Sequence, residues 1–125
     1  MYKILIVEDD ETIAGGLKNH LEKWNYQAEC MTDFKDVMGK FVEFEPQLVL
    51  LDIVLPFFNG FHWCQEIRKI SKVPIIFLTA MDEEVQVIRA LDGGGDDYIT
   101  KPFKLGELCS RIRAQLRRSG MQRQA

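Results

Sequence analysis

Leu48-Val49-Leu50-Leu51-Asp52 is a run of four apolar residues closed by a carboxylate. The run is continuous rather than alternating, as expected of a strand covered on both faces inside a parallel sheet. Two further runs share this character: Ile4-Leu5-Ile6-Val7, followed by Glu8 and Asp9, and Ile75-Ile76-Phe77-Leu78, followed by Thr79. Pro46 and Pro74 stand just ahead of two of them, where a turn must deliver the chain. An ionised carboxylate in an apolar interior is costly unless paired or bound to a metal. Glu8, Asp9 and Asp52 must therefore face a cleft.

Between the runs lie segments with helical spacing. They are Ile13, Leu17, Leu21 and Trp24; Phe34, Val37, Phe41 and Phe44; Trp63, Ile67 and Ile70; Val85, Ile88 and Leu91; and Leu105, Leu108, Ile112 and Leu116. A short strand is expected near Asp97 to Thr100, and a second strand, with a less clear pattern, around Tyr26 to Met31. Asp10 or Glu11 opens the first helix, Asp33 the second, Asp82 precedes the fourth, and Gly93-Gly94-Gly95 ends it. Five strand-helix units of this size imply right-handed crossovers with helices on both faces of an open sheet, a doubly wound α/β fold. The ordered domain is expected to span residues 1–118, with 119–125 a polar tail or the start of a linker.

With 125 residues and 46% hydrophobic content the chain has room for one ordinary core and one domain. Its 16 basic and 19 acidic residues give a net charge of -3, which argues against a dedicated nucleic-acid-binding domain. The basic end, Arg111, Arg113, Arg117, Arg118 and Arg123, reads as a helix terminus followed by a tail, with direct nucleic-acid binding as the alternative. Cys30, Cys64 and Cys109 are odd in number and far apart, so neither a disulfide framework nor a zinc site is suggested, and a reducing cytoplasm fits. No signal peptide and no bilayer-spanning run is expected. His20 and His62 each lack a ligand partner at useful spacing, and Trp24, Phe34, Phe41, Phe44 and Trp63 read as core rather than as a base-stacking platform.

In open α/β sheets ligands collect beyond the carboxyl ends of the strands. Glu8 and Asp9 follow the first strand, Asp52 the third, Thr79 the fourth and Lys101 the fifth, so these residues are expected to converge on one cleft. Carboxylates without a neighbouring His or Cys cluster suit a hard, oxygen-ligated cation such as magnesium, and disfavour zinc. Lys101 supplies a point charge and Thr79 a hydroxyl for phosphoryl oxygens. Asp52 is then a nucleophile toward phosphorus, and the product an aspartyl phosphate.

In combination these motifs resemble the receiver domain of two-component response regulators, over about Tyr2 to Arg118. The resemblance implies a flavodoxin-like five-stranded parallel sheet of order 2-1-3-4-5. It implies Glu8 and Asp9 as the acidic pair, Asp52 as phosphoacceptor, Thr79 as the hydroxyl switch, Tyr98 as the aromatic switch, Lys101 as the phosphate-contacting lysine, and a cis peptide at Lys101-Pro102. Mg2+ (or Mn2+) would be held by Asp9, Asp52 and the backbone carbonyl of Val54, with Glu8 acting through water. The donor would be a phosphohistidine on a sensor histidine kinase. Such a domain catalyses only its own phosphorylation and dephosphorylation.

The run from Asp96 to Phe103 is similar to the OmpR/PhoB branch, whose receivers form homodimers through the fourth helix, fifth strand and fifth helix. Asp97 with Arg111 and Asp96 with Arg118 would be the cross-dimer pairs. Glu107 would seek a basic residue at the position where Val87 stands. DNA would be reached through a winged-helix effector domain that this chain lacks. Asn59 to Cys64 resembles regulators of the BceR/GraR group, which answer envelope stress. Gly93, Gly95 and the aromatics of Phe57-Phe58-Asn59 depart from the family pattern, and Phe57 is either a kinase contact or a surface accident. Two rivals are a flavodoxin-like flavin or nucleotide binder, which needs glycine and hydroxyl residues where Glu8-Asp9-Asp10 stands, and a magnesium-dependent aspartyl phosphohydrolase, which needs an acid where Val54 stands.

Overall fold

The continuous apolar runs become the inner strands of one parallel sheet, in a computed structural model that describes residues 1–80, 89 and 91–120. The strands are β1 (Lys3–Val7), β2 (Gln27–Cys30), β3 (Leu48–Asp52), β4 (Ile75–Thr79) and β5 (Asp97–Thr100), in the order β2-β1-β3-β4-β5. Side chains alternate across the sheet. Ile4, Ile6, Leu48, Leu50, Ile76 and Leu78 pack on one side with helix α1 (Glu11–Lys23) and the C-terminal helix (Leu105–Arg118). Leu5, Val7, Val49, Leu51, Ile75 and Phe77 pack on the other with α2 (Val37–Phe44) and α3 (Gly60–Arg68). Two apolar faces explain why these strands read as unbroken hydrophobic runs. β2 lies at the sheet edge with only Ala28 buried, which explains its weaker pattern.

The side chain of Asp10 caps α1, accepting from the N–H groups of Thr12 at 3.0 Å and Ile13 at 3.2 Å. The second helix corrects the expected boundary: its cap is Asp36, which accepts from Gly39 N–H at 3.0 Å. Asp33 instead accepts from Lys35 N–H at 3.1 Å, closing a local turn that competes with the helix. Phe34 consequently lies outside α2 and packs against its core from the loop. In α3 the spacing overshoots as well, because Ile70 N–H and Ser71 N–H both donate to the Ile67 carbonyl and close the helix, leaving Ile70 61% exposed.

The expected fourth-helix positions Asp82, Val85, Val87 and Ile88 lie outside the described residues. Beyond them, Gly94 takes φ +109 and its N–H donates to the Leu91 carbonyl at 3.2 Å, the left-handed ending that glycine favours. A Cβ on Gly94 would also stand 3.1 Å from Cγ of Arg68. Arg68 ties two segments together there: Nε donates to the Gly94 carbonyl at 2.9 Å and Nη2 to Asp96 Oδ2 at 2.7 Å, while Nη1 donates to the Val73 carbonyl at 2.7 Å. No helix among the described residues is long and apolar enough to cross a membrane.

Candidate functional site

Strand register sets the site. Val7 pairs with Leu51, so Glu8 and Asp52 leave the sheet level with each other, and Asp52 pairs with Leu78, one residue before Thr79. Thr79 pairs with Thr100, and its carbonyl accepts from Lys101 N–H at 2.8 Å, which brings the lysine to the same edge. Oxygens of Glu8, Asp9 and Asp52 all lie within 4.8 Å of one another. The Lys101 ammonium is 3.0 Å from Asp52 Oδ2 and is ion-paired with Glu8 Oε1. Glu8, Asp52 and Thr79 are buried, while Asp9 is exposed. The Lys101-Pro102 peptide is cis, as the resemblance implied.

Charge here is out of balance, with three carboxylates facing one ammonium. Burial pushes the Glu8 carboxyl above its ordinary value of 4.5 despite the opposing hydrogen bond from Lys101, and Asp52 adds to the rise. Asp9 is likewise raised, by desolvation first and then by Glu8. For Lys101 burial opposes the charge, but Glu8 and Asp52 together outweigh it and the ammonium is held up. A hard divalent cation among these oxygens would supply the missing positive charge, and the all-oxygen donor set fits magnesium.

The loop after Asp52 carries a requirement that sequence reasoning passed over. A Cβ on Gly60 would lie 2.2 Å from the Asp52 carbonyl oxygen and 3.0 Å from Ile53 Cα, and Gly60 N–H donates to the Ile53 carbonyl at 2.8 Å. Only glycine permits this closure of the loop onto the base of Asp52. Asn59 then caps α3 through His62 N–H at 3.0 Å. The signal was an Asn-Gly pair directly ahead of a helical pattern. His62 stacks on Phe58, ring centroids 4.4 Å apart, and so has an ordinary packing role. Val54 N–H approaches Asp52 Oδ1 at 3.4 Å, with the Val54 side chain largely exposed.

Phe57 is 66% exposed and takes φ +67, while Phe58 N–H donates to the Pro56 carbonyl at 2.8 Å across it. That is a three-residue turn which an aromatic residue adopts only under strain, on the order of 1–3 kcal/mol. The Lys35 ammonium lies 4.9 Å from the centre of the Phe57 ring.

Of the residues expected to pair across a dimer, Asp96, Asp97, Glu107 and Arg111 are engaged within the chain. Arg111 Nη1 meets Asp97 Oδ1 at 2.7 Å, and its Nε meets Glu107 Oε1 at 3.1 Å, so Glu107 has a basic partner on its own helix. Asp96 Oδ2 accepts from both Arg68 and Ile75 N–H. Arg118 shares the rim of a 150 Å³ polar cavity with Asp96, Lys72 and Gln115. Tyr98 is half-buried against the core on the α2/α3 side of the sheet, with the Arg111 guanidinium 5.9 Å from its ring centre.

Comparison with known proteins gives one answer. Residues 4–113 match the family described as the response regulator receiver domain. The uncharacterized transcriptional regulatory protein YvcP of Bacillus subtilis is 50% identical over 119 residues, covering 95% of this chain and 50% of that protein. The sensory transduction protein BceR of Halalkalibacterium halodurans is 42% identical, covering 94% and 51%. Among solved structures, the N-terminal domain of the nisin resistance regulator NsrR, a lantibiotic response regulator, superimposes with a TM-score of 0.86 at 45% identity, covering 93% of this chain and 98% of that one. The chain spans about half the length of the curated relatives it matches. Neither the flavin binder nor the phosphohydrolase finds support in these likenesses.

Proposed function

The chain belongs to the response regulator receiver domains, and from that premise we propose that Asp52 accepts a phosphoryl group from a sensor histidine kinase and thereby switches a dimerisation surface. The observation that carries the reading is the gathering of Glu8, Asp9 and Asp52 oxygens within 4.8 Å, with Lys101 3.0 Å from the Asp52 carboxylate. Asp9, Asp52 and the Val54 carbonyl would hold Mg2+ (or Mn2+), with Glu8 acting through water; bound there, the ion supplies charge neutralisation for an incoming phosphoryl group. A carboxylate oxygen of Asp52 attacks phosphorus as the phosphorus–nitrogen bond of the phosphohistidine breaks, and the imidazole leaves with that electron pair. Lys101 passes from balancing Glu8 and Asp52 to contacting a phosphoryl oxygen, and the Thr79 hydroxyl contacts another.

The added charge of about -1.5 to -2 draws Thr79 toward Asp52 and biases Tyr98 inward, repacking the face that carries Asp96, Asp97, Glu107, Arg111 and Arg118. Arg111 and Asp97, paired within one chain, then exchange to a second copy, and Asp96 meets Arg118 of that copy. Transcriptional control would follow through a winged-helix effector domain in a longer cytoplasmic protein, with turnover confined to the domain's own phosphoryl group.

Sedimentation with Mg2+ and beryllofluoride, a phosphoryl mimic, tests this. We expect a dimer for the unmodified chain and a monomer for Arg111→Ala. An unchanged dimer in that variant would remove Arg111 from the interface.

A further inference from the structure

We propose that Lys35 and Phe57 form a strap across the carboxyl end of β1 that slows exchange of water and metal at the acidic site and so prolongs the Asp52 phosphoryl group. The inference rests on Asp52 as phosphoacceptor. Topology supplies the first support. β2 and β3 lie on either side of β1. Lys35 follows β2 and Phe57 follows β3, so their contact bridges the gap beyond β1, where Glu8 and Asp9 stand.

A cavity provides the second. Thr32 and Phe34, from the loop that carries Lys35, line a 240 Å³ cavity together with Glu8, Asp9 and Glu11. The Lys35 loop is thus a wall of the space that reaches the metal-binding carboxylates. Its backbone is anchored by the Asp33 carboxylate on Lys35 N–H, which leaves the side chain to reach across to the ring. The third support is the backbone of Phe57, held at φ +67 and two-thirds exposed. A strained, exposed aromatic with one cation over its face marks a purpose that packing does not supply.

The step that the strap restrains is hydrolysis. Water oxygen bonds to phosphorus, the bond between phosphorus and the Asp52 oxygen breaks, inorganic phosphate leaves with one of the water protons while the other passes to solvent, and the carboxylate is restored. Excluding water at the rim slows this attack.

The test uses the full chain labelled by acetyl phosphate with saturating Mg2+, as unmodified protein, Phe57→Gly, Lys35→Gln and the double variant. Glycine accepts the positive φ, so Phe57→Gly removes the ring without disturbing the turn. Phosphoryl half-life is followed by intact mass, and Mn2+ release to excess chelator is timed on unphosphorylated protein. We expect each single variant to shorten the half-life by roughly 3- to 10-fold and to speed Mn2+ release, with the double variant no worse than either single, since both break one contact. A half-life within about 1.5-fold of the unmodified protein in either single variant, multiplying effects in the double, or unchanged Mn2+ release would overturn the strap. Failure of the unmodified chain to label would instead refute Asp52 as acceptor, and the Mn2+ measurement would still decide the strap.

Discussion

The interior of the sheet and its carboxyl edge follow opposite rules. Inside, Ile4 to Val7, Leu48 to Leu51 and Ile75 to Leu78 are completely buried and apolar on both faces. At the edge, one residue further along each strand, the chain sets Glu8, Asp52 and Thr79 in nearly equal burial. The interior gains by removing apolar surface from water, about 25 cal/mol per Å². The edge accepts a desolvated Glu8, whose pKa burial and the neighbouring Asp52 both raise, and the Lys101 ammonium offsets part of that cost. A strong core therefore carries a weak rim poised for a ligand.

The largest blow to the edge should come from Gly60→Ala, because its Cβ meets backbone rather than a mobile side chain. A loss of about 3 kcal/mol or more in urea unfolding is expected, together with loss of Mg2+ binding. Lys101→Met leaves two buried carboxylates without a counter-charge and should cost about 3 kcal/mol without metal. The same variant should bind Mg2+ more tightly by calorimetry, since the ion no longer competes with the ammonium. Leu50→Ala, in the interior, should cost a comparable 2–5 kcal/mol yet leave Mg2+ affinity unchanged. Were affinity to fall in step with stability there, core and edge would not be separable.

A smaller effect concerns pH. Glu8 and Asp9 titrate above their ordinary values of 4.5 and 3.8, so the folded chain binds more protons than the unfolded one across that interval. Their contribution to stability is therefore present at low pH and lost as pH rises through the raised values. Saturating Mg2+ holds both ionised and should reverse the slope, which thermal melts from about pH 4 to 8 with and without the ion would read. Smallest of all, Phe57→Gly relieves the positive φ and should raise stability by about 1 kcal/mol after loss of the ring contact.

Legibility in the sequence divides along the same line. The inner strands were readable because burial on both faces leaves an uninterrupted apolar run, and the site residues because each stands where such a run stops. β2 was indistinct because an edge strand buries little. Asp33 was mistaken for a helix cap because Asp33 and Asp36 both bind backbone N–H groups, and a sequence does not say which one starts a helix. The Asn59-Gly60 pair signalled a turn but not the contact with the Asp52 carbonyl, and the Arg68 junction and the Lys35–Phe57 contact had no sequence signature of their own. Each depends on a close approach between segments that only the assembled sheet brings together.

Intact mass after incubation with acetyl phosphate and Mg2+ tests the central claim most directly. One phosphoryl group is expected on the unmodified chain, none without the divalent ion, and none on a folded Asp52→Asn variant. Labelling of Asp52→Asn to the same extent would contradict it.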